Sequence, residues 1–247
     1  MDRMLYVAMS GAKQTLLAQA SNSHNMANAN TTGFRADLAA FRSMPVYGAG
    51  QPTRVYAMAE RAGVDVSNGA LNATGRDMDI AIKGEGWIAV QADDGTEAYT
   101  RAGDLRVADG GFLKTGAGLT VLGNGGPISL PPAEKLEIGS DGTISIQGLG
   151  QTPNTLSVLD RIKLVKIDAS QLTKGQDGLM RMRGGGMAAA DATVNVVSGA
   201  LESSNVNAVD AMVNMIMLAR QYESQVKMMK AAEDADTSAT QLLSLTG

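Results

Sequence analysis

Apolar residues recur at helical spacing close to the C-terminus, between Ala208 and Met229. The gaps between them alternate between four and three residues, which is typical of a helix that packs in a coiled coil. A second apolar stripe runs beside the first. One stripe is enough to cover one partner, so two stripes predict a helix inside a bundle. The first stripe comprises Ala208, Met212, Met215, Ala219, Tyr222, Val226 and Met229, and the second Val206, Val209, Val213 and Ile216.

The start of this helix is marked by polar residues. Ser203, Ser204 and Asn205 can each offer a side-chain oxygen to the free amides of a first turn. Asp210 follows early, where the helix dipole favours a negative charge. The last part of the helix is polar and predicted to face solvent.

A second helix is predicted over residues 1–30. Its apolar or small positions again step by four, three and four, at Leu5, Met9, Ala12 and Leu16. This stripe is narrow, and an isolated helix of this kind is marginal in water. It therefore needs a partner, and we expect the C-terminal helix to supply it. Gly33 is suited to end the helix or turn the chain after it.

Residues 31–75 lack a sustained period and are broken by glycine and proline. Residues 53–59 alternate weakly and predict one strand of an extended arm. A structureless loop of this length would be unusual inside a domain, so we interpret the segment as a connector lying on neighbouring molecules.

Residues 76–200 differ in character, because short β-rich runs alternate with Asp-Gly and Gly-Gly turns. Strands spaced by about ten residues predict a small all-β sandwich or barrel. The cleanest alternation lies at 161–167, and residues 168–192 read as irregular. The predicted fold class is therefore α+β: terminal helices (1–30 and 201–247) paired in a coiled-coil-like α domain, an extended connector (31–75) and an inserted all-β domain (76–200).

Composition excludes several functions. The chain has no cysteine, which rules out disulfides, thiolate zinc sites and cysteine nucleophiles. Its formal net charge is -4 and it has no basic run, which argues against nucleic-acid binding. No apolar window is long enough for a transmembrane span, and the N-terminus does not resemble a cleaved secretory signal. We expect a protein that stays in the cytoplasm or leaves it without a cleaved leader.

The sequence offers little catalytic chemistry. His24 is the only histidine and lies in a weak helix of serine and asparagine, so a metal site or a Ser-His-Asp arrangement is not expected. The Gly-x-Gly pieces at 84–86 and 116–118 fit turns rather than a dinucleotide site. Arg101, after Tyr99 and Thr100, fits either a solvated strand face or a subunit contact. We predict no cofactor, no metal and no enzymatic activity.

Three motif blocks in the chain resemble the axial proteins of the bacterial flagellum, which form its rod and hook. The first is Asn-Met-Ala-Asn-Ala-Asn-Thr-Thr-Gly-Phe at 25–34. The second begins with Asp-Ile-Ala-Ile-Lys-Gly-Glu-Gly-Trp at 79–87 and continues to Gly103. The third is the terminal helix from Leu201 to Glu223. Within the family, the opening residues and the spacing of the connector are most similar to the proximal rod subunit.

This resemblance implies a structural subunit of a helical tube in the periplasmic basal body, which transmits motor torque. It implies partners, namely copies of the chain, other rod proteins and the flagellar export apparatus. It also implies export without a cleaved signal peptide and no direct membrane insertion. The predicted subunit-interface residues are Leu5, Met9, Ala12, Leu16, Asn25, Asn28, Gly33, Phe34, Asn205, Asn207, Met212, Met215, Ile216, Ala219, Tyr222 and Val226.

Two further interpretations remain open at this point. The first is the distal rod subunit of the same family. The second is a secreted oligomeric binding module or adhesin, whose β surface would need exposed aromatic residues. Trp87, Tyr99 and Phe112 are the sizeable aromatics available to it.

Overall fold

The computed structural model describes residues 4–45, 55–148, 150 and 156–245. Their contacts divide the chain into two units. Unit 1 comprises the described residues of Met1–Asn28, Asp37–Gly63 and Val206–Gly247. Unit 2 comprises those of Ala29–Ala36 and Val64–Asn205.

Unit 1 contains two helices and a β ribbon. Helix α1 spans Met4–Ala27 and helix α2 spans Ala208–Leu245. Strands β1 (Asp37–Pro45) and β2 (Val55–Val64, whose last residue belongs to unit 2) form a two-stranded sheet. The two helices contact each other. They run antiparallel, because Asn22 near the end of α1 bonds to Ala211 near the start of α2, whereas Gly11, earlier in α1, lies against Gln225, further along α2.

Helix α2 is capped by a residue other than those expected. Asn207 Oδ1 accepts hydrogen bonds from the amides of Val209 (3.0 Å) and Asp210 (3.4 Å). Ser203, Ser204 and Asn205 belong to unit 2 instead. The expectation that these three cap the helix is wrong, because the helix begins only at Ala208 and Asn207 is the residue whose side chain accepts from its first-turn amides.

Unit 2 is formed by short antiparallel strands. Its strands are β3 (Leu71–Ala73), β4 (Ile80–Lys83), β5 (Trp87–Gln91), β6 (Glu97–Thr100), β7 (Leu105–Val107), β8 (Leu113–Thr115), β9 (Thr120–Gly123), β10 (Gly126–Pro127), β11 (Ala133–Ile138), β12 (Thr143–Gly148), β13 (Ser157–Arg161), β14 (Leu164–Val165), β15 (Leu172–Lys174), β16 (Met180–Met182), β17 (Asn195–Ser198) and β18 (Ala200–Glu202). The largest sheet has the order β15-β16-β6-β5-β9-β8-β7, with β10 on β9 and β14 on β5. Smaller sheets are β11-β12-β13, β17-β4 and β18-β3.

Strand β5 shows how the pleat organises the interior of unit 2. Ile88 and Val90 enter the main apolar core, while Trp87 and Ala89 join a smaller cluster on the opposite face. Successive side chains of a strand point to opposite faces, so β5 is buried on both sides and reads as a continuous apolar run. The expected turns at Asp94-Gly95 and Asp141-Gly142 are present, with positive φ at both glycines.

Three local expectations need correction. The expected strand at 161–167 is interrupted: Arg161 ends β13, Ile162 makes only an isolated bridge with Gly123, and Leu164 and Val165 form β14. Residues 168–192, expected to be irregular, contain the 3-10 turn Ala169–Gln171 and the hairpin β15-β16, since three-residue strands are too short to show a period. The connector predicted at 31–75 contains β1 to β3 and divides between the units. Residues 53 and 54 of its expected strand lie outside the described residues.

Candidate assembly site

Small side chains line the face that α1 turns inward in unit 1. Ala8, Gly11, Ala12, Thr15 and Ala18 are the buried residues of this helix. A Cβ atom on Gly11 would lie 2.9 Å from Cδ of Gln225, so the glycine leaves room for that side chain. Asn22 Nδ2 donates to the carbonyl oxygen of Ala211 at 2.7 Å. Since interaxial distance depends on the side chains at the contact, small residues permit a close approach.

The stripe of large residues predicted on α1 lies elsewhere. Leu5, Met9 and Leu16 are 41%, 53% and 47% exposed, and only Ala12 of that stripe is buried. The buried face has the same spacing of three and four residues as the predicted stripe but is shifted by one position, to Gly11, Thr15 and Ala18. The inward face therefore differs in register from the expectation, and the large apolar residues stay on the surface of unit 1.

The predicted stripe of α2 is also divided between two faces. Met215, Ala219 and Tyr222 are half-buried. Met212 and Val226 are exposed. The second stripe likewise leaves Val209, Val213 and Ile216 exposed, with Ile216 at 55%. Both helices thus carry an apolar surface that the described part of the chain does not cover.

The asparagines of the first motif tie α1 to the ribbon within unit 1. Asn25 exchanges two hydrogen bonds with the backbone of Asp37, donating from Nδ2 at 2.9 Å and accepting at Oδ1 from the amide at 2.8 Å. His24 Nδ1 lies 3.0 Å from Asp37 Oδ2. Asn28 Nδ2 donates back to the carbonyl of His24 at 2.9 Å. These contacts orient β1 at the end of the helix.

In unit 2, an ionic cluster joins three segments that are far apart in sequence. Glu202 of β18 is fully buried and accepts from Arg35 Nη2 at 2.6 Å and from Arg101 Nη1 at 2.9 Å. Its Oε1 also accepts the amide of Gly69 at 2.8 Å. Both arginines are buried as well. A buried charge needs partners of this kind because its desolvation costs several kcal/mol.

Trp87 of β5 completes the surroundings of the cluster. The guanidinium carbons of Arg101 and Arg35 lie 5.3 and 5.9 Å from the centroid of its ring, within the range of cation–π attraction. Burial lowers the pKa of Arg101, and the charge of Glu202 opposes that shift. Arg101 Nη2 donates to the carbonyl of Gly84 at 2.8 Å. The cluster therefore anchors the loop before β5 as well.

The chain segment around Gly33 is held beside the same ionic cluster. The Gly33 amide donates to the carbonyl of Glu202 at 2.8 Å. Phe34 is buried, with Nζ of Lys174 3.9 Å from the centroid of its ring. Asn205 Oδ1 accepts the amide of Ala36 at 2.8 Å. Residues 29–36 are thus an integral part of unit 2.

Replacing Gly33 by alanine is expected to destabilise unit 2 by about 2 kcal/mol or more. Gly33 has φ +66°, and a Cβ there would lie 2.3 Å from the carbonyl carbon of Arg101. Left-handed strain alone costs on the order of 1–3 kcal/mol, and backbone atoms leave no space for the methyl group. Gly84→Ala is the matched control, because Gly84 has φ +87° but no atom within 4 Å. Urea denaturation measures both, and equal losses would contradict a steric role for Gly33.

The second motif block also contributes a buried tyrosine, Tyr99, which belongs to the same apolar cluster as Trp87. Tyr99 Oη donates to Glu97 Oε1 at 2.9 Å and accepts the amide of Ala188 at 2.7 Å. Lys163 Nζ in turn donates to both oxygens of Glu97. Burial raises the pKa of Tyr99 to about 12. The hydroxyl therefore keeps its proton near neutral pH and holds residue 188 against the sheet.

Sequence reasoning missed Arg35 and Glu202 as members of a site. Arg101 was expected either on a solvated strand face or at a subunit contact, but it is 3% exposed and paired inside unit 2. The available signal was that each of the three residues lies in or beside one of the three motif blocks. Their opposite charges fit an ion pair, although nothing in the local pattern shows that the three blocks contact one another.

Within residues 4–45, 55–148, 150 and 156–245, no cluster of three or more histidine, aspartate or glutamate side chains is placed to hold a metal ion. None of the helices among the described residues combines the length and apolar character that crossing a bilayer requires.

Comparison with known families identifies the three motif blocks. Residues 5–35 match the family described as "Flagella basal body rod protein". Residues 81–146 match "Flagellar hook protein FlgE/F/G D1 domain", and residues 197–242 match "Flagellar basal body rod FlgEFG protein C-terminal". Arg35 lies at the end of the first match, Arg101 within the second and Glu202 within the third. The cluster in unit 2 thus joins all three matched regions.

Whole-chain relatives agree with these matches. The chain is similar to the flagellar basal-body rod protein FlgF of Salmonella typhimurium, at 42% identity over 99% of this chain and 100% of the relative. It is 43% identical to FlgF of Escherichia coli over the same shares. It is 33% identical to the flagellar basal-body rod protein FlgG of Bacillus subtilis, over 95% of this chain and 96% of the relative.

Helices at both ends of the chain, uncovered apolar faces on them and an intervening β unit define a structural subunit of a larger assembly. The matches over all three regions and over the whole chain identify which assembly this is. The chain belongs to the flagellar basal-body rod protein family.

Proposed function

We propose that this chain is a structural subunit of the proximal rod, which assembles helically with copies of itself and other rod proteins to transmit motor torque and catalyses no reaction. The observation that carries the proposal is the exposure of large apolar residues on α1 and α2 while small residues fill the face between them. Contiguous apolar surface of this kind is typical of an interaction site.

Burial of these faces would supply the energy of assembly. Covering one exposed leucine, isoleucine or methionine contributes about 1.5–3 kcal/mol when burial is complete. Leu5, Met9 and Leu16 on α1 and Met212 and Ile216 on α2 would together bury a substantial surface against neighbours. Contacts between different faces of successive copies do not close on themselves, and they generate a helical filament.

The predicted domain roles follow from this proposal. Helices α1 and α2 would pair in a coiled-coil-like manner and form the inner α domain of the tube. The ribbon β1-β2 would bridge neighbouring subunits, since a lone two-stranded sheet is marginally stable and β1 is exposed along most of its length. The β domain would face outward. Under this proposal, all sixteen predicted interface residues contact neighbouring subunits in the rod. They include Gly33 and Phe34, which also make contacts within unit 2.

Torque transmission requires subunits that deform little. The pairing of Glu202 with Arg35 and Arg101 supports this role, because it ties the two chain ends of unit 2 to its sheet through buried charge-assisted hydrogen bonds. A closely packed interior transmits strain rather than absorbing it.

Delivery to the periplasmic basal body would occur through the flagellar export apparatus, as an unfolded chain and without a cleaved signal peptide. The absence of cysteine supports this route, because no disulfide has to form after export. Direct membrane insertion and nucleic-acid binding form no part of the proposed function.

The distal rod subunit stays as the alternative within the family, and its support is the similarity to FlgG of Bacillus subtilis. The adhesin alternative loses its basis, because Trp87 and Tyr99 are buried in unit 2 and only Phe112 of the three aromatics is exposed.

A cryo-EM map of a purified basal body tests the proposal. We expect density for this chain in the proximal rod, with Leu5, Met9 and Ile216 covered by neighbouring subunits. Placement of the chain only in the distal rod would favour the alternative. Its absence from the rod, or a rod position with these side chains facing solvent, would overturn the proposal.

A further inference from the structure

Two Asn-Gly pairs occur in the sequence, Asn68-Gly69 and Asn124-Gly125. Such a pair can deamidate without an enzyme. The backbone nitrogen of the glycine attacks the side-chain carbonyl carbon of the asparagine, a new C–N bond forms, and the side-chain nitrogen leaves as ammonia with the proton. Water then opens the resulting succinimide to aspartate or isoaspartate. Glycine favours the attack because it has no Cβ and moves freely through backbone conformations.

The pair at 124 is open to this reaction. Asn124 and Gly125 are the two exposed residues between β9 and β10, whose pairing of Gly123 with Gly126 closes a two-residue turn. A Cβ on Gly125 would meet no atom within 4 Å. No residue in the described part of the chain accepts a hydrogen bond from the Gly125 amide. The nitrogen that must attack is therefore unhindered.

The pair at 68 has the same sequence and the opposite environment. The Gly69 amide donates to Oε1 of buried Glu202 at 2.8 Å. A Cβ on Gly69 would lie 2.0 Å from the carbonyl oxygen of Ser203, and the Ser203 amide donates to Ala70 at 2.9 Å. The attacking nitrogen would have to leave its carboxylate and turn within a packed backbone. Asn68 itself is exposed, so the protection comes from its neighbour.

We propose that Asn124 is a site of spontaneous deamidation in this protein and that the ionic cluster protects Asn68 from the same modification. The reaction consumes only water and releases ammonia. Conversion at 124 adds one negative charge to the turn, and the isoaspartate product adds a methylene group to the backbone. Strand β9 pairs with both β5 and β8, so the modification falls at the end of a central strand of the largest sheet.

The test is ageing of the full-length folded protein at physiological temperature and slightly alkaline pH, followed by peptide mass mapping and isoaspartate labelling. We expect Asn124 to deamidate about tenfold faster than Asn68, or more, because a hydrogen bond to a charged group can change a rate by a factor of this order. The urea-unfolded protein is the reference, and there the two sites should react at similar rates.

Two variants separate the causes. Gly125→Ala should slow the reaction at 124 strongly without harming the fold, since Gly125 has open space and no positive φ. Glu202→Gln, aged under conditions where circular dichroism shows that it is folded, should raise deamidation at Asn68 and leave Asn124 unchanged, because it removes the carboxylate charge while preserving the side-chain shape. An unmodified Asn124 in the aged native protein would overturn the proposed site. Equal rates at the two positions, or no change at Asn68 in Glu202→Gln, would overturn the proposed protection.

Discussion

Glu202→Ala is expected to destabilise unit 2 by about 3–5 kcal/mol, the usual cost of removing one partner of a buried ion pair. The substitution leaves Arg35 and Arg101 as two like charges with no carboxylate between them, both buried and close to the ring of Trp87. It also removes the acceptor of the Gly69 amide. We expect both the loss of pairing and the repulsion to contribute.

Urea denaturation followed by tryptophan fluorescence measures this loss directly, because Trp87 is the only tryptophan and lies in unit 2. Glu134→Ala serves as the control: Glu134 is an exposed carboxylate on β11 of the same unit, and its loss should change the free energy of unfolding by no more than about 0.5 kcal/mol. If Glu202→Ala unfolds at the same urea concentration as the parent, the cluster does not stabilise unit 2.

Ile216→Asp is expected to abolish swimming while leaving the free chain folded. Ile216 is exposed in unit 1, so an aspartate there meets solvent in the isolated molecule and changes its stability little. In the proposed rod, the same carboxylate would be buried against a neighbour, and an unpaired buried charge costs several kcal/mol. Repeated at every copy, this cost should prevent assembly.

Soft-agar motility of a strain that carries only the variant measures this effect, together with circular dichroism of the purified chain. Asn214→Asp is the matched control, because it adds the same charge to an exposed position two residues away without removing an apolar side chain. We expect the control strain to keep most of its motility. Normal swimming of Ile216→Asp would refute the assembly role assigned to this face of α2.

Sequence reasoning succeeded where the determinants are local. The two terminal helices, the Asp-Gly turns and the short strands between them follow from spacing and turn chemistry over a few residues. It failed at residues 168–192, whose three-residue strands pair with distant partners such as Tyr99. It also failed at the cap of α2, because Asn205 bonds to Ala36 and to the carbonyl of Asp65 instead.

The sequence alone determined that this chain has helices at its ends and a β region between them, and its motif blocks indicated the family. Only the tertiary structure decided which face of α1 turns inward, since neighbouring residues of a helix differ by about 100° and a shift of one keeps the same spacing. It also decided the meeting of Glu202 with Arg35 and Arg101, which lie 167 and 101 residues away. Contacts over such separations depend on how strands pair, and no local pattern encodes them.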